Sequence, residues 1–310
     1  PRYRFLARTV FRGTVFRGTV FTGTLFTATL ASAQFSPPRS IEGQDVGQLS
    51  QFDWIDLDGD SAPDLVLVGQ PVGYHPSLPG GGFGTFRSVD VGPGNVQRVE
   101  WLDIDSDGDM DLAALSEGDN LIWTLKVLLN DGAGRFGPPQ LIDGANEGAG
   151  GLATLDVDLD GVKDIVASNF VEGEIYWYRG LGAAGFGPRT PLASTPDPFT
   201  LLAADFDGDG DSDLVVGEFT AFSTRLVLLT QDGPSQFSAG LPFGSLFAAS
   251  GGVAAEDIDG DGLLDLYSNR RAGGTEWFQN LGGGSFGPSQ SIGLPQGQLG
   301  AARMADVDGD

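Results

Sequence analysis

The sequence predicts an all-β protein, a β-propeller of four-stranded blades with about fifty residues in each repeat. Three observations predict it. An aspartate-rich loop recurs from Asp56, Asp103, Asp156, Asp205, Asp257 and Asp306, at spacings of 47, 53, 49, 52 and 49 residues. A phenylalanine closing a turn, Phe83, Phe136, Phe186, Phe237 and Phe286, keeps the same beat. No stretch holds a 3.6-residue apolar period, so helices should be few. A period of this length points to stacked units that bury their faces only against their neighbours.

Each unit resolves into the same elements in order. A short apolar segment enters the Asp loop as a first strand, and a run such as Leu65-Val66-Leu67-Val68 or Leu214-Val215-Val216 leaves it as a second. Segments 125–129, 174–178, 226–229 and 275–278 supply a third strand. Gly-rich turns then run from Asn130 to Phe136, Gly180 to Phe186 and Asn280 to Phe286, each a hairpin signal, and a fourth strand follows.

The loops carry the chemistry. Oxygen ligands at positions 1, 3 and 5, a backbone carbonyl at 7 and a closing carboxylate at 9 would wrap a calcium ion, which takes six to eight hard oxygens. The candidate ligands are Asp56, Asp58, Asp60, Ala62 and Asp64; Asp103, Asp105, Asp107, Asp109 and Asp111; and Asp156, Asp158, Asp160, Val162 and Asp164. The later copies offer Asp205, Asp207, Asp209, Asp211 and Asp213; Asp257, Asp259, Asp261, Leu263 and Asp265; and the cut sixth loop Asp306, Asp308 and Asp310. About one Ca2+ per complete loop is expected. Ala62, Val162 and Leu263 would act through their carbonyls.

Glycine stands at position 4 or 6 of every complete copy, where the chain must turn sharply. Positions 2 and 10 are apolar throughout, so each loop is anchored in a core on both sides. The loops hold 25 carboxylates; the other acidic residues balance the 17 Lys plus Arg, so the net charge of −25 resides in the loops. Magnesium keeps its waters and is a poorer fit, and softer metals lack ligands in a chain with no Cys and one His.

The repeated D-x-D-x-D-G-x-x-D loop and N-x-G-x-G-x-F turn resemble the FG-GAP family and its bacterial VCBS-type relatives, as in the propeller of integrin alpha chains. The resemblance covers roughly residues 45 to 310. It implies a calcium-binding propeller, often seven-bladed, used in adhesion, in carbohydrate binding or as an accessory domain. The turns 77–83 and 231–237 depart from its second motif.

Residues 1–33 differ in kind: five arginines, no acid, an apolar and Thr-rich run over 18–30, then Ala31-Ser32-Ala33. This is the layout of a signal peptide, with a low-complexity leader or a pentapeptide-repeat coil as rivals. Residues 34–310 are then the propeller, read as a fragment because the chain opens on Pro1 and stops within the sixth loop. Export would place it, secreted or at the cell surface, where millimolar calcium fills weak loops. No run is long and apolar enough for a membrane span.

No enzyme is expected. The one histidine, His75, sits in a loop by this reading, no cysteine nucleophile exists, and the paired carboxylates are all claimed by the loops. Once the loops are neutralised no basic patch remains for nucleic acid. Trp54 and Trp101, two residues before their loops, and Trp177 and Trp277 are expected in the inter-blade core, with Trp123 less constrained. The expected function is an adhesion or ligand-binding module for a glycan or an extracellular protein, on the face opposite the metal loops. The alternatives are the propeller of a secreted polysaccharide lyase or hydrolase, and a structural spacer.

Overall fold

The computed structural model describes residues 4–7, 51–79, 81–118, 122–219, 224–246, 253–269, 275–292 and 302–305. Most of the leader and the sixth loop, Asp306, Asp308 and Asp310, lie outside the described residues. Five antiparallel sheets follow one another as propeller blades. The first is β2 (Gln51–Ile55), β3 (Asp64–Val68), β4 (Gly73–His75) and β5 (Arg87–Ser88). The second is β6 (Asn95–Leu102), β7 (Asp111–Glu117), β8 (Ile122–Leu128) and β9 (Gln140–Glu147), and the third is β10 (Ala149–Leu155), β11 (Asp164–Asn169), β12 (Glu174–Tyr178) and β13 (Thr190–Ser194).

The fourth, β14 (Pro198–Ala204), β15 (Asp213–Phe219), β16 (Thr224–Gly233) and β17 (Gln236–Ala239), has a further strand, β18 (Phe243–Leu246), on β16. The fifth is β19 (Val253–Glu256), β20 (Asp265–Asn269), β21 (Thr275–Phe278) and β22 (Gln290–Ile292). Outside the blades, β1 (Arg4–Ala7) pairs with β23 (Ala302–Ala305). Among the described residues the one helical element is a 3-10 turn at Gly182–Ala184, and no helix is long and apolar enough to cross a membrane.

The second strand of each blade is apolar on both faces because it is covered on both. Side chains alternate across a strand. In β7, Leu112 and Ala114 face the joint with the first blade while Ala113 and Leu115 face the third. In β11, Ile165 and Ala167 turn back to the second blade and Val166 forward to the fourth. In β15, Leu214 and Val216 face the third blade and Val215 the fifth. Among the described residues these cores therefore lie between blades, and only a smaller cluster, Ala254 and Tyr267 with Ile258 and Trp277, belongs to the fifth blade alone.

Loop position 2 extends each core: Leu57, Ile104, Val157 and Phe206 are buried in the joint with the blade that follows. Phe136, Phe186, Phe237 and Phe286 lean on the joint with the blade before. The turn-closing pair is the same in all five blades, Ser77 with Phe83, Asn130 with Phe136, Gly180 with Phe186, Gln231 with Phe237 and Asn280 with Phe286. The two departures from the motif thus fold as the others do.

Two expectations need correction. His75 lies in a strand, not a loop: it is buried in β4 with Nδ1 on the Gly84 carbonyl at 3.0 Å. Trp54 is not core. Alternation along β2 sends Ile55 into the first joint and leaves Trp54 on the opposite flank, 46 % exposed and tilted against Phe83. Trp101 is partly buried in the first joint and Trp177 is buried in the third, while Trp123 and Trp277 are partly buried.

Candidate metal centres

Each of the five described Asp loops is the connection between the first two strands of a blade. The residue before the loop pairs with its last Asp, as in Ile55 with Asp64, Leu102 with Asp111, Leu155 with Asp164, Ala204 with Asp213 and Glu256 with Asp265. Pinching the chain there folds positions 1, 3 and 9 together. Carboxylate oxygens of Asp56, Asp58 and Asp64 lie within 4.8 Å of one another, as do those of Asp103, Asp105 and Asp111, and of Asp156, Asp158 and Asp164. Asp205, Asp207 and Asp213, and Asp257, Asp259 and Asp265, form the remaining triads.

The backbone between them has one shape. Residues at positions 4 and 6 have positive φ in every loop: Gly59 and Ser61, Ser106 and Gly108, Leu159 and Gly161, Gly208 and Gly210, Gly260 and Gly262. This curls the amides inward onto the first aspartate. Asp56 accepts the N–H of Gly59 and Ser61, Asp103 those of Asp107 and Gly108, and Asp156 those of Asp160 and Gly161. Position 5 stands apart from the triad: Asp60, Asp107, Asp160, Asp209 and Asp261 each accept the N–H of position 7, that is of Ala62, Asp109, Val162, Asp211 and Leu263.

The ninth aspartate is wholly buried in every loop. Its Oδ2 accepts the position-2 N–H, from Leu57, Ile104, Val157, Phe206 or Ile258, at 2.8 to 3.1 Å. Its Oδ1 accepts the N–H that opens the later hairpin, from Ser77, Asn130, Gly180, Gln231 or Asn280, at 2.6 to 2.9 Å. One carboxylate thus ties the loop to the far hairpin of the same blade. Burial raises the Asp111 and Asp164 carboxyls to about 6, against the opposing effect of these amides. Burial raises Asp213 and Asp265 as well.

A cation fits these triads on an observation independent of spacing. Oδ1 of Asp58, Asp105 and Asp158 is buried without a hydrogen-bond partner. A buried carboxylate oxygen with no donor is costly and calls for a positive charge. The donor set is all oxygen and anionic, which suits calcium. Side chains already approach position 3 from outside the triad: Arg87 at 3.4 Å from Asp58, Gln279 donating to Asp259 at 2.6 Å, and Arg179 on Asp158 and Asp160.

A second device lies between blades and was missed in the sequence. Asn130 donates Nδ2 to the carbonyl of Leu57 in the preceding blade at 3.0 Å, and Asn280 donates to Phe206 at 2.8 Å. Gln231 does the same to Val157 at 3.0 Å. The signal was the amide side chain opening the turn, at the same register in three blades. The third blade has Gly180 there, and a Cβ at that point would sit 2.3 Å from the Lys163 carbonyl.

The FG-GAP-like repeat family matches residues 103–167, 156–216 and 257–310. No curated protein matches the chain in sequence. Among solved structures, a lectin from Agrocybe aegerita, described as recognising non-reducing terminal N-acetylglucosamine, is similar at 16% identity and a TM-score of 0.50, over 94% of this chain and 90% of that one. A protein of unknown function from Desulfotomaculum acetoxidans is similar at 13% identity and a TM-score of 0.58, over 98% of this chain and 90% of that one.

Proposed function

The chain belongs to the FG-GAP-like repeat family, and from that premise we propose that it is an extracytoplasmic ligand-binding or adhesion module whose blades are stapled by calcium. The observation that carries the calcium reading is the orphaned, buried Oδ1 of the third aspartate in three successive triads. Asp56, Asp58 and Asp64, with their counterparts in the other loops, would hold the ion, and positions 5 and 7 would complete its shell. The bound ion supplies the charge that lets the carboxylates lie together. The chain's own contribution is to present them on a hairpin anchored in a core.

Two features support binding over catalysis. His75 is buried on a backbone carbonyl, and the triad carboxylates serve structure. A glycan is the ligand class we favour, a role that a propeller fold fills in the Agrocybe aegerita lectin. Loops of weak affinity would fill where calcium is plentiful, which supports a setting outside the cytoplasm. The test is retention of the whole chain on polysaccharide and cell-surface preparations, in calcium and in chelator. Retention that chelator abolishes supports the reading; passage through every matrix in calcium refutes it.

A further inference from the structure

The five loops share one backbone but not one electrostatic environment. The residue just before each hairpin opening is Pro76, Leu129, Arg179, Thr230 or Gln279. In the third and fifth blades that side chain reaches position 3 of its own loop. The fifth blade sends a neutral amide. The third sends a guanidinium, with Arg179 Nε 2.6 Å from Asp158 Oδ2 and its terminal nitrogen 2.8 Å from Asp160 Oδ2.

Two carboxylates of the third loop are therefore already paired with a cation, while the other oxygen of Asp158, Oδ1, is buried without a hydrogen-bond partner. The second and fourth loops stand at the other extreme. They carry five carboxylates each, with Asp109 and Asp211 at position 7, where the third has Val162. Their flanking residues, Leu129 and Thr230, bring no charge.

We infer that Arg179 makes the third loop the low-affinity calcium site of the array, filled after the second and fourth loops. This rests on the calcium reading of the triads. An ion entering the third loop meets like charge beside two of its ligands and must share or displace a guanidinium that no other described loop holds so closely. Arg87, the nearest parallel, stands 3.4 Å from Asp58 and contacts no second carboxylate of the first loop. Calcium binding therefore proceeds in steps, and the third blade responds at the highest concentration.

The step coincides with a joint bonded differently from its neighbours. Gly180, next to Arg179, has no amide side chain to clamp the preceding blade, and the junction of the second and third blades is bridged instead by the Tyr178 hydroxyl, which donates to Asp143 at 2.7 Å.

The experiment is a calcium titration of the whole chain by calorimetry and by terbium luminescence, compared with two reciprocal variants. Arg179→Gln keeps a hydrogen-bonding side chain and removes the charge; it should move one weak site to about tenfold tighter binding. Thr230→Arg, at the same register in the fourth blade, should loosen one tight site by a similar factor. Melting in excess calcium should be near wild type for both, which excludes misfolding. Superimposable isotherms for wild type and Arg179→Gln would overturn the inference while leaving the calcium sites in place. Failure of wild type to bind calcium at all would overturn the underlying reading instead.

Discussion

Asn130 reaches out of the second blade and donates its Nδ2 to the Leu57 carbonyl of the first at 3.0 Å. The acceptor is position 2 of the preceding Asp loop, whose N–H is held by Asp64. The ion-loop machinery of one blade and the hairpin of the next therefore share a single peptide segment. Strain or order in one loop passes directly to the neighbouring blade.

Removing such a clamp should cost more than one ordinary hydrogen bond. Asn280 donates to both Phe206 and Leu264 carbonyls, and Asn280→Ala strands one buried and one partly buried acceptor. The expected loss is about 1–3 kcal/mol, read from urea unfolding in calcium. Asn280→Asp, of similar shape but without the donors, should be at least as damaging. A loss below the error of the extrapolation for Asn280→Ala would show that the carbonyls find other donors.

The third loop carries a local strain that can be relieved. Leu159 has φ of 58° and is 37 % exposed, a conformation that crowds Cβ against the backbone. The corresponding residue in the first, fourth and fifth loops is Gly59, Gly208 or Gly260. Leu159→Gly should stabilise the calcium-loaded protein by about 0.5–1 kcal/mol despite the greater freedom of its unfolded chain. Destabilisation in the melting curve would mean that the leucine side chain contributes packing greater than the strain.

The metal-free protein should show an inverted pH dependence. Carboxyls of Asp111 and Asp164 rise from 3.8 to about 6 on folding, so the folded state prefers them protonated. Their contribution to stability is complete below about 3.8 and disappears as the pH rises through about 6. In chelator the melting temperature should rise between pH 7.5 and 5, over about the interval in which these groups take up protons. A flat or falling profile would contradict the burial of uncompensated carboxylates. Excess calcium should flatten the rise, since an ion replaces the proton.

How far the sequence could be read depended on whether a feature repeats. The blades, their strand order and the Asp clusters were legible because the loop recurs at fixed spacing, but that positions 1, 3 and 9 converge while position 5 stands apart was not. The ninth aspartate read as a ligand, but its hold on two backbone amides was not legible, because the hairpin it grips lies 13 to 19 residues away in sequence. Left-handed geometry at Ser61, Ser106 and Leu159 was hidden behind non-glycine residues. Trp54 and His75 are particular to the first blade, so no repeat constrained their surroundings.

The most direct test of the account is thermal melting of the whole chain in millimolar calcium and again after chelation. The account predicts a large fall in melting temperature on chelation, restored by added calcium and only weakly by equal magnesium, because each occupied triad adds its binding free energy to folding. Identical melting curves in calcium and chelator would mean that the buried carboxylates of Asp64, Asp111, Asp164, Asp213 and Asp265 act through backbone amides alone, and the calcium account would fall.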